Sequence, residues 1–287
     1  MPKLAYVNGR FMRQAQAGVS IEDRGFQLSD GVYEVWAVFG GRLADAEGHF
    51  ARLERSLNEL EIPQPMSRAA LTTVLRETVR RNRIEEGTVY LQITRGVAPR
   101  DHAFPSVATR PTLVVTARRG DPAAAEARAV AGVKVITLPD IRWGRCDIKT
   151  IGLLPNVLAR QAAKTQGAYE AWLVDGQGLI TEGAASNAWI LDADGVLRTR
   201  DLGANILRGV TRRSLADLAR EAGLTVEERA FTVAEAKGAR EAFLTGAGSL
   251  VMPVVRIDEQ DIADGRPGAV AKRLRALYIQ HGRKSAI

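Results

Sequence analysis

From Glu47 to Leu60 apolar residues fall at Phe50, Leu53, Leu57 and Leu60. Steps of three and four predict a helix with one buried face. A second helix is expected after Ser67, a residue type that caps helix N-termini, and carries Leu71, Val74, Leu75 and Val79. Between Thr88 and Thr94 the period changes to two. Val89, Leu91 and Ile93 alternate with polar or amphipathic neighbours, as in a half-buried strand. Short strands are expected at 4–7 and 10–13 around Asn8-Gly9, a strong hairpin signal. Another runs from Val32 to Phe39 into Gly40-Gly41, and a further one covers 112–116.

Farther along, strands are expected near 133–137, 171–175, 188–191 and 253–257. Helices are expected near 156–166, 209–222, 233–238 and 268–280. The mixture predicts an α/β (α+β mixed) fold. Arg118-Arg119-Gly120-Asp121-Pro122, before an alanine-rich stretch, reads as a linker. The expected division is a small N-terminal α/β domain at 1–117, a linker at 118–125 and a larger domain at 126–287. Asp192-Ala193-Asp194-Gly195 is expected to be a tight turn. No EF-hand spacing follows it, and no metal site is predicted.

Composition narrows the function. The chain has 287 residues, 46% hydrophobic and 25% charged, an ordinary globular balance. No apolar run approaches the roughly 20 residues that span a bilayer. Met1-Pro2-Lys3-Leu4-Ala5-Tyr6 lacks an apolar signal core. Cys146 is the only cysteine, which excludes an intrachain disulfide or a cysteine-based metal cluster. A reduced, cytoplasmic setting is expected. The net charge of +7 raises nucleic acid as a partner, but Lys and Arg are scattered along the chain. Even Arg80-Arg81-Asn82-Arg83 lies beside acids or at a helix end. A solvated surface is the preferred reading, no nucleic-acid or membrane partner is expected, and a basic nucleic-acid-binding protein is the remote alternative.

Candidate chemistry lies in four segments. Lys149 ends Arg142-Trp143-Gly144-Arg145-Cys146-Asp147-Ile148-Lys149 and stands between Ile148 and Ile151. From its spacing alone Lys149 reads as a plain surface lysine, but its apolar neighbours favour the unprotonated amine that attacks aldehydes. Glu182 follows a short apolar stretch in Leu179-Ile180-Thr181-Glu182-Gly183. Leu207-Arg208-Gly209-Val210-Thr211 precedes a helix, whose free amides and dipole suit a phosphate. Pro99-Arg100-Asp101-His102 follows the strand at 88–94. Cys146 has no paired base and is read as structural. No role is assigned to Arg142 or Arg145.

Taken in order, these segments resemble the D-amino-acid aminotransferases of the fold type IV pyridoxal-phosphate enzymes. The resemblance spans nearly the whole chain. It takes in Glu22-Asp23-Arg24-Gly25-Phe26-Gln27, Asp30-Gly31-Val32-Tyr33-Glu34, Thr94-Arg95-Gly96 and Phe243-Leu244-Thr245-Gly246. It implies two domains with pyridoxal 5'-phosphate between them and Lys149 as the catalytic residue, bound to the cofactor as an imine. Glu182 is implied at the ring nitrogen and Arg52 at the phosphate. Leu207, Gly209, Val210, Thr211, Gly246 and Ala247 are implied around the cofactor. Ala247 departs from relatives, which commonly carry a hydroxyl residue there. Tyr33, Arg100 and His102 match the group that binds the substrate carboxylate.

In that family the arginine and histidine come from a neighbouring subunit, so a homodimer with active sites at the subunit interface is implied. The implied activity is ping-pong transfer of the amino group of a D-amino acid to a 2-oxo acid such as pyruvate or 2-oxoglutarate. Three alternatives share the fold: a branched-chain L-amino-acid aminotransferase, an R-selective amine transaminase and an aminodeoxychorismate lyase. Branched-chain enzymes and aminodeoxychorismate lyases match less well at the carboxylate-binding positions. The pocket for the side chain is placed loosely near Val32, Val35 and Trp36.

Overall fold

A computed structural model describes residues 3–287; Met1 and Pro2, the start of the segment expected to lack a signal core, lie outside the described residues. The chain forms two compact units. One runs to Asp121 and also takes Ile148–Gly152 and Ser285–Ile287. The other holds Pro122–Asp147 and Leu153–Lys284. Among the described residues, no helix is long and apolar enough to cross a membrane.

The first unit contains β1 (Leu4–Val7), β2 (Arg10–Arg13), α1 (Arg24–Leu28), β3 (Gly31–Phe39), β4 (Arg42–Leu43), α2 (Ala46–Glu59), α3 (Arg68–Arg81), β5 (Glu86–Thr94) and β6 (Thr112–Arg119). Its six strands form one sheet in the order β2-β1-β6-β5-β3-β4, antiparallel at every pairing. Asn8 and Gly9 both take positive φ, which suits a two-residue hairpin. Ser67 caps α3 by accepting from the Ala70 amide at 3.3 Å. Phe50, Leu53 and Leu57 of α2 join Leu71, Leu75 and Val79 of α3 in the core with Trp36, Val89 and Leu91. Each such side chain contributes about 2 kcal/mol by leaving water.

Period two is visible on β3. Val32, Glu34, Trp36 and Val38 are buried, while Tyr33 and Val35 between them are only half-buried. The segment Ile148–Gly152 lies against the start of β3. The Tyr33 amide donates to the Lys149 carbonyl at 3.0 Å and the Ile151 amide to the Gly31 carbonyl at 3.1 Å. Gly31 permits this approach: a Cβ there would meet the Ile93 carbonyl at 2.8 Å and Ile151 Cδ1 at 3.1 Å.

The second unit contains α4 (Pro122–Ala131), β7 (Val133–Pro139), α5 (Leu154–Thr165), β8 (Glu170–Val174), β9 (Ile180–Gly183), β10 (Asn187–Leu191), β11 (Leu197–Thr199), α6 (Val210–Glu221), β12 (Val226–Glu228), α7 (Val233–Lys237), β13 (Glu241–Gly246), β14 (Leu250–Ile257), β15 (Gln260–Asp261) and α8 (Ala269–Ser285). The strands form a nine-stranded sheet in the order β12-β11-β10-β13-β14-β7-β8-β9, with β15 paired to β14. The β14–β7, β7–β8 and β11–β12 pairs are parallel. Leu215 and Ala219 of α6 and Leu274 and Tyr278 of α8 pack with Trp189 and Phe243. Another core gathers Trp172, Phe231, Leu244 and Met252.

The expected mixture of helices and strands is present, with local differences. Residues 118–125, read as a linker, hold the end of β6 and the start of α4. The alanines that looked like a break are strong helix formers, and Pro122 opens that helix, where its missing amide is harmless. Strand β13 has no alternating pattern because Ala242, Phe243, Leu244 and Thr245 are all buried. Asp192 Oδ1 accepts from the Asp194 and Val196 amides at 3.0 and 2.9 Å, closing the turn expected there.

Candidate active site

Lys149 and Tyr33 meet in the first unit. Backbone pairing with β3 fixes the lysine main chain, and its amide also donates to Ser56 Oγ on α2 at 3.3 Å. The side chain turns back so that Nζ lies 4.1 Å from the centroid of the Tyr33 ring. Ile148 is buried and Ile151 half-buried beside it. Tyr33 stacks on Tyr90, with centroids 5.6 Å apart and planes 30° apart. Tyr90 donates to Gln92 Oε1 at 2.6 Å. Burial, with Tyr33 second, pushes the Tyr90 hydroxyl up to about 12, so it stays a neutral donor. Tyr33, Tyr90 and Gln92 share one face of the β3–β5 ladder because Tyr33 pairs with Gln92 and Val35 with Tyr90.

Arg52 lies on α2 beneath the opposite face of β3. Its Nε donates to Glu34 Oε1 at 2.7 Å and its Nη2 to Oε2 at 2.9 Å. His49, one turn earlier, places Nδ1 2.8 Å from Glu34 Oε2. Burial alone would raise the Glu34 carboxyl. The Arg52 charge, and hydrogen bonds from Arg52 and His49, outweigh it and hold Glu34 well below the usual carboxylate range. Burial lowers His49, against the opposing pull of Glu34. Arg52 therefore has a fixed guanidinium plane. Glu34 and His49 were given no role from the sequence, yet a signal existed. An acid at a position that period two assigns to the core needs a charged partner.

In the second unit β9 presents Glu182, whose carboxylate is held by Arg142, Asn187 and the Leu207 amide. Arg142 pairs with it through Nη1. Asn187 Nδ2 donates to Oε2 at 3.0 Å. The Leu207 amide donates to Oε1 at 3.1 Å. Arg142 is itself gripped by Asp140, Nη2 to Oδ2 at 2.7 Å and Nε to Oδ1 at 2.9 Å. Thr181 Oγ1 donates to Asp140 Oδ2 at 2.7 Å. Arg142, given no role from the sequence, is thus the direct partner of a predicted site residue. Arg145 pairs with Asp147 at 3.0 Å instead.

Asn187 carries this arrangement to the start of α6. It donates to the Leu207 carbonyl at 3.1 Å, and a Cβ on Gly209 would come within 1.9 Å of its Oδ1. Only glycine fits at that point. Gly209 precedes Val210 and Thr211 and gives no side-chain cap to the helix, whose first turn has no acid. The first amides and the positive dipole end are left for an anion. Thr211 Oγ1 is buried 3.2 Å from the Tyr278 hydroxyl. Arg208 is exposed. Gly246 ends β13, and Ala247 begins the turn into β14. Asn187 pairs with Thr245 across β10 and β13, so Gly246 lies in the same neighbourhood.

Arg100 and His102 have exposed side chains on the segment after β5, whereas Tyr33 is half-buried with Lys149. Cys146 is buried. Its thiol donates to the Trp143 carbonyl at 3.1 Å and is pushed up to about 11, chiefly by burial. It is a packed thiol and a poor nucleophile.

A model of the family described as amino-transferase class IV matches residues 31–257. A D-alanine aminotransferase of Bacillus licheniformis is 40% identical over 267 residues, covering 93% of this chain and 93% of its own. One of Staphylococcus haemolyticus is 37% identical, covering 96% of each chain. Among solved structures, a T.th. branched-chain amino acid aminotransferase with pyridoxamine 5'-phosphate superposes with a TM-score of 0.88. It is 26% identical and covers 99% of this chain and 95% of its own.

Proposed function

This chain belongs to the class IV amino-transferase family, and we propose that it transfers the amino group of D-amino acids, D-alanine foremost, to a 2-oxo acid. Pyruvate and 2-oxoglutarate are the proposed acceptors. The reaction is ping-pong: the first 2-oxo acid leaves before the second enters. The observation that carries the reading is the pairing of Lys149 with Tyr33, Nζ 4.1 Å from the ring. The base for the α-proton and a donor for the α-carboxylate then stand side by side, which fixes the face on which the proton moves.

Pyridoxal phosphate suits the residues present. An uncapped helix start behind Gly209 offers amides to a phosphate, and the buried carboxylate of Glu182, held by Arg142, Asn187 and the Leu207 amide, offers negative charge to a ring nitrogen. Bound there, the cofactor supplies an electron sink for charge developing at the substrate α-carbon. Lys149 would anchor it through Nζ, and the same amine takes the α-proton and returns it. Glu182 would keep a proton on the ring nitrogen, and Arg142 and Asp140 orient Glu182. Arg52, Gly209, Val210, Thr211, Gly246 and Ala247 would hold the phosphate end, and Leu207 would lie against the cofactor. Arg52 supplies its charge from the plane that Glu34 fixes.

Tyr33, Arg100 and His102 would bind the carboxylate. The exposure of Arg100 and His102 supports their reaching a second subunit's site in a homodimer. The setting proposed is the cytoplasm.

Branched-chain L-aminotransferase activity is the second reading, because a solved relative of that name shares the fold. The higher identity to D-alanine aminotransferases favours the first. The test incubates the purified protein with D-alanine or L-leucine and 2-oxoglutarate, following each oxo acid. Turnover of D-alanine is expected. A preference for L-leucine would overturn the proposal.

A further inference from the structure

Asp30 stands where β3 begins, three residues before Tyr33, and two guanidinium groups converge on it. Arg24 Nε donates to Oδ2 at 2.8 Å. Arg95 Nε donates to the same oxygen at 2.7 Å, and its Nη2 to Oδ1 at 3.0 Å. Arg24 and Arg95 are both buried. Neither arginine stops at Asp30. Arg24 Nη1 donates to the Asp101 backbone carbonyl at 2.6 Å. Arg95 places Cζ 3.7 Å from the centroid of the Phe104 ring. Asp101 lies between Arg100 and His102, and Phe104 lies two residues farther on.

The backbone on either side is tied to the same cluster. The Ala98 amide donates to the Glu22 carbonyl at 3.3 Å and the Arg24 amide to the Gly96 carbonyl at 2.9 Å. Thr109 Oγ1 donates to the Arg95 carbonyl at 2.6 Å. The ends of the segment are thus pinned by backbone and hydroxyl bonds. Its middle is held by one guanidinium on a carbonyl and another under a ring. A charged donor on a backbone carbonyl makes a strong, directional bond, and Asp30 compensates the buried charge that makes it.

We infer that Arg24, oriented by Asp30, is the positioning residue for the segment bearing Arg100 and His102, and so sets affinity for the substrate carboxylate. The inference rests on the proposed carboxylate-binding role of Arg100 and His102. Both substrates of the reaction carry that carboxylate. Loss of the Asp101 contact then weakens binding of donor and acceptor together, while Lys149 and the phosphate-binding residues are untouched. The Arg24 guanidinium bonds Asp30 and the Asp101 carbonyl, so its role is one of positioning.

The experiment compares the holoenzyme with Arg24→Gln, Arg24→Lys and Arg100→Ala. The readouts are KM and kcat for D-alanine and pyruvate, and cofactor retained on dialysis. Misplacing a binding group by about 1 Å costs up to about a hundredfold. Arg24→Gln is expected to raise both KM values about ten- to a hundredfold. Its kcat should stay within about threefold and its cofactor retention should match wild type. Arg24→Lys, which keeps the charge but loses the fork, should show the same split at smaller amplitude.

Unchanged KM values, or a parallel fall in kcat and cofactor retention, would overturn the positioning role. If Arg24→Gln yields no folded holoenzyme, Arg24→Lys decides by the same criteria. Arg100→Ala separates the two levels. Unchanged KM there counts against the carboxylate-binding reading itself. Raised KM in Arg100→Ala with normal KM in the Arg24 variants sinks only the inference.

Discussion

Lys149 Nζ sits over the face of the Tyr33 ring, 4.1 Å from its centroid. The Tyr33 amide also bonds to the Lys149 carbonyl. The two residues are therefore coupled through backbone and side chain at once. Tyr33→Phe keeps the ring, its stacking on Tyr90 and the backbone bond, but loses the hydroxyl. Its KM for D-alanine should rise about tenfold or more, the cost of a hydrogen bond to a charged group, with a smaller change in kcat. Steady-state kinetics with D-alanine and pyruvate check this; an unchanged KM would remove Tyr33 from the carboxylate site.

Glu182→Gln replaces the carboxylate that Arg142, Asn187 and the Leu207 amide hold. Arg142 remains paired with Asp140, so the fold and cofactor binding should persist. Turnover should fall about a hundredfold or more, as for loss of one preorganised electrostatic group. Near-normal rates in a variant that retains its visible cofactor band would refute the role of Glu182.

Ala247→Thr adds a hydroxyl in the turn after Gly246. If that turn closes over the phosphate, the variant should lose cofactor more slowly on dialysis than wild type. A gain of about 1 kcal/mol from a new hydrogen bond corresponds to several-fold tighter retention. Equal loss from both proteins would place Ala247 away from the phosphate.

Acid should destabilise the first unit through Glu34 and His49. Folding lowers both values, so the unfolded chain binds more protons and stability falls as pH falls. The His49 share is present above its ordinary value of about 6.5 and is lost below it, toward the lowered folded value. The Glu34 share is lost below about 4.3, toward its own depressed value. Chemical denaturation across this range should show the fall. Glu34→Ala should flatten its lower part and cost about 3–5 kcal/mol near neutrality by breaking the ion pair between the buried Glu34 and the half-buried Arg52.

Mixed dimers test the proposed homodimer and whether Arg100 serves the neighbouring site in it. Lys149→Ala and Arg100→Ala homodimers should both be impaired. A hybrid of the two chains would contain one site with both Lys149 and Arg100 intact. It should recover wild-type KM for D-alanine. A hybrid that keeps the Arg100→Ala KM would place Arg100 in its own chain's site.

Much of the first unit was legible because its elements are half-buried. Val89, Leu91 and Ile93 alternate, and Phe50, Leu53 and Leu57 step around one helix face, so periodicity reports burial directly. Strand β13 was not legible in that way, since Phe243, Leu244 and Thr245 are buried on both faces and leave no pattern. The alanines of α4 read as a linker because loops and helices both tolerate small residues. Lys149 and Tyr33 could be named from their motifs, but their contact depends on pairing across 116 positions of chain that no local pattern encodes. Arg142 gave no signal of its own because a single arginine carries no mark of its partner. Asp140 and Glu182, which define it, come from separate strands and turns.

The most direct test adds D-alanine or L-alanine to purified protein without any acceptor and follows the visible cofactor band and the pyruvate released. D-alanine is predicted to bleach the band and release about one pyruvate per site. L-alanine should leave the band essentially intact, and Lys149→Ala should give no such turnover with either. Bleaching by L-alanine in preference to D-alanine, or a Lys149→Ala protein that releases pyruvate at the wild-type rate, would contradict the assignment of D-amino-acid chemistry to Lys149 and Tyr33.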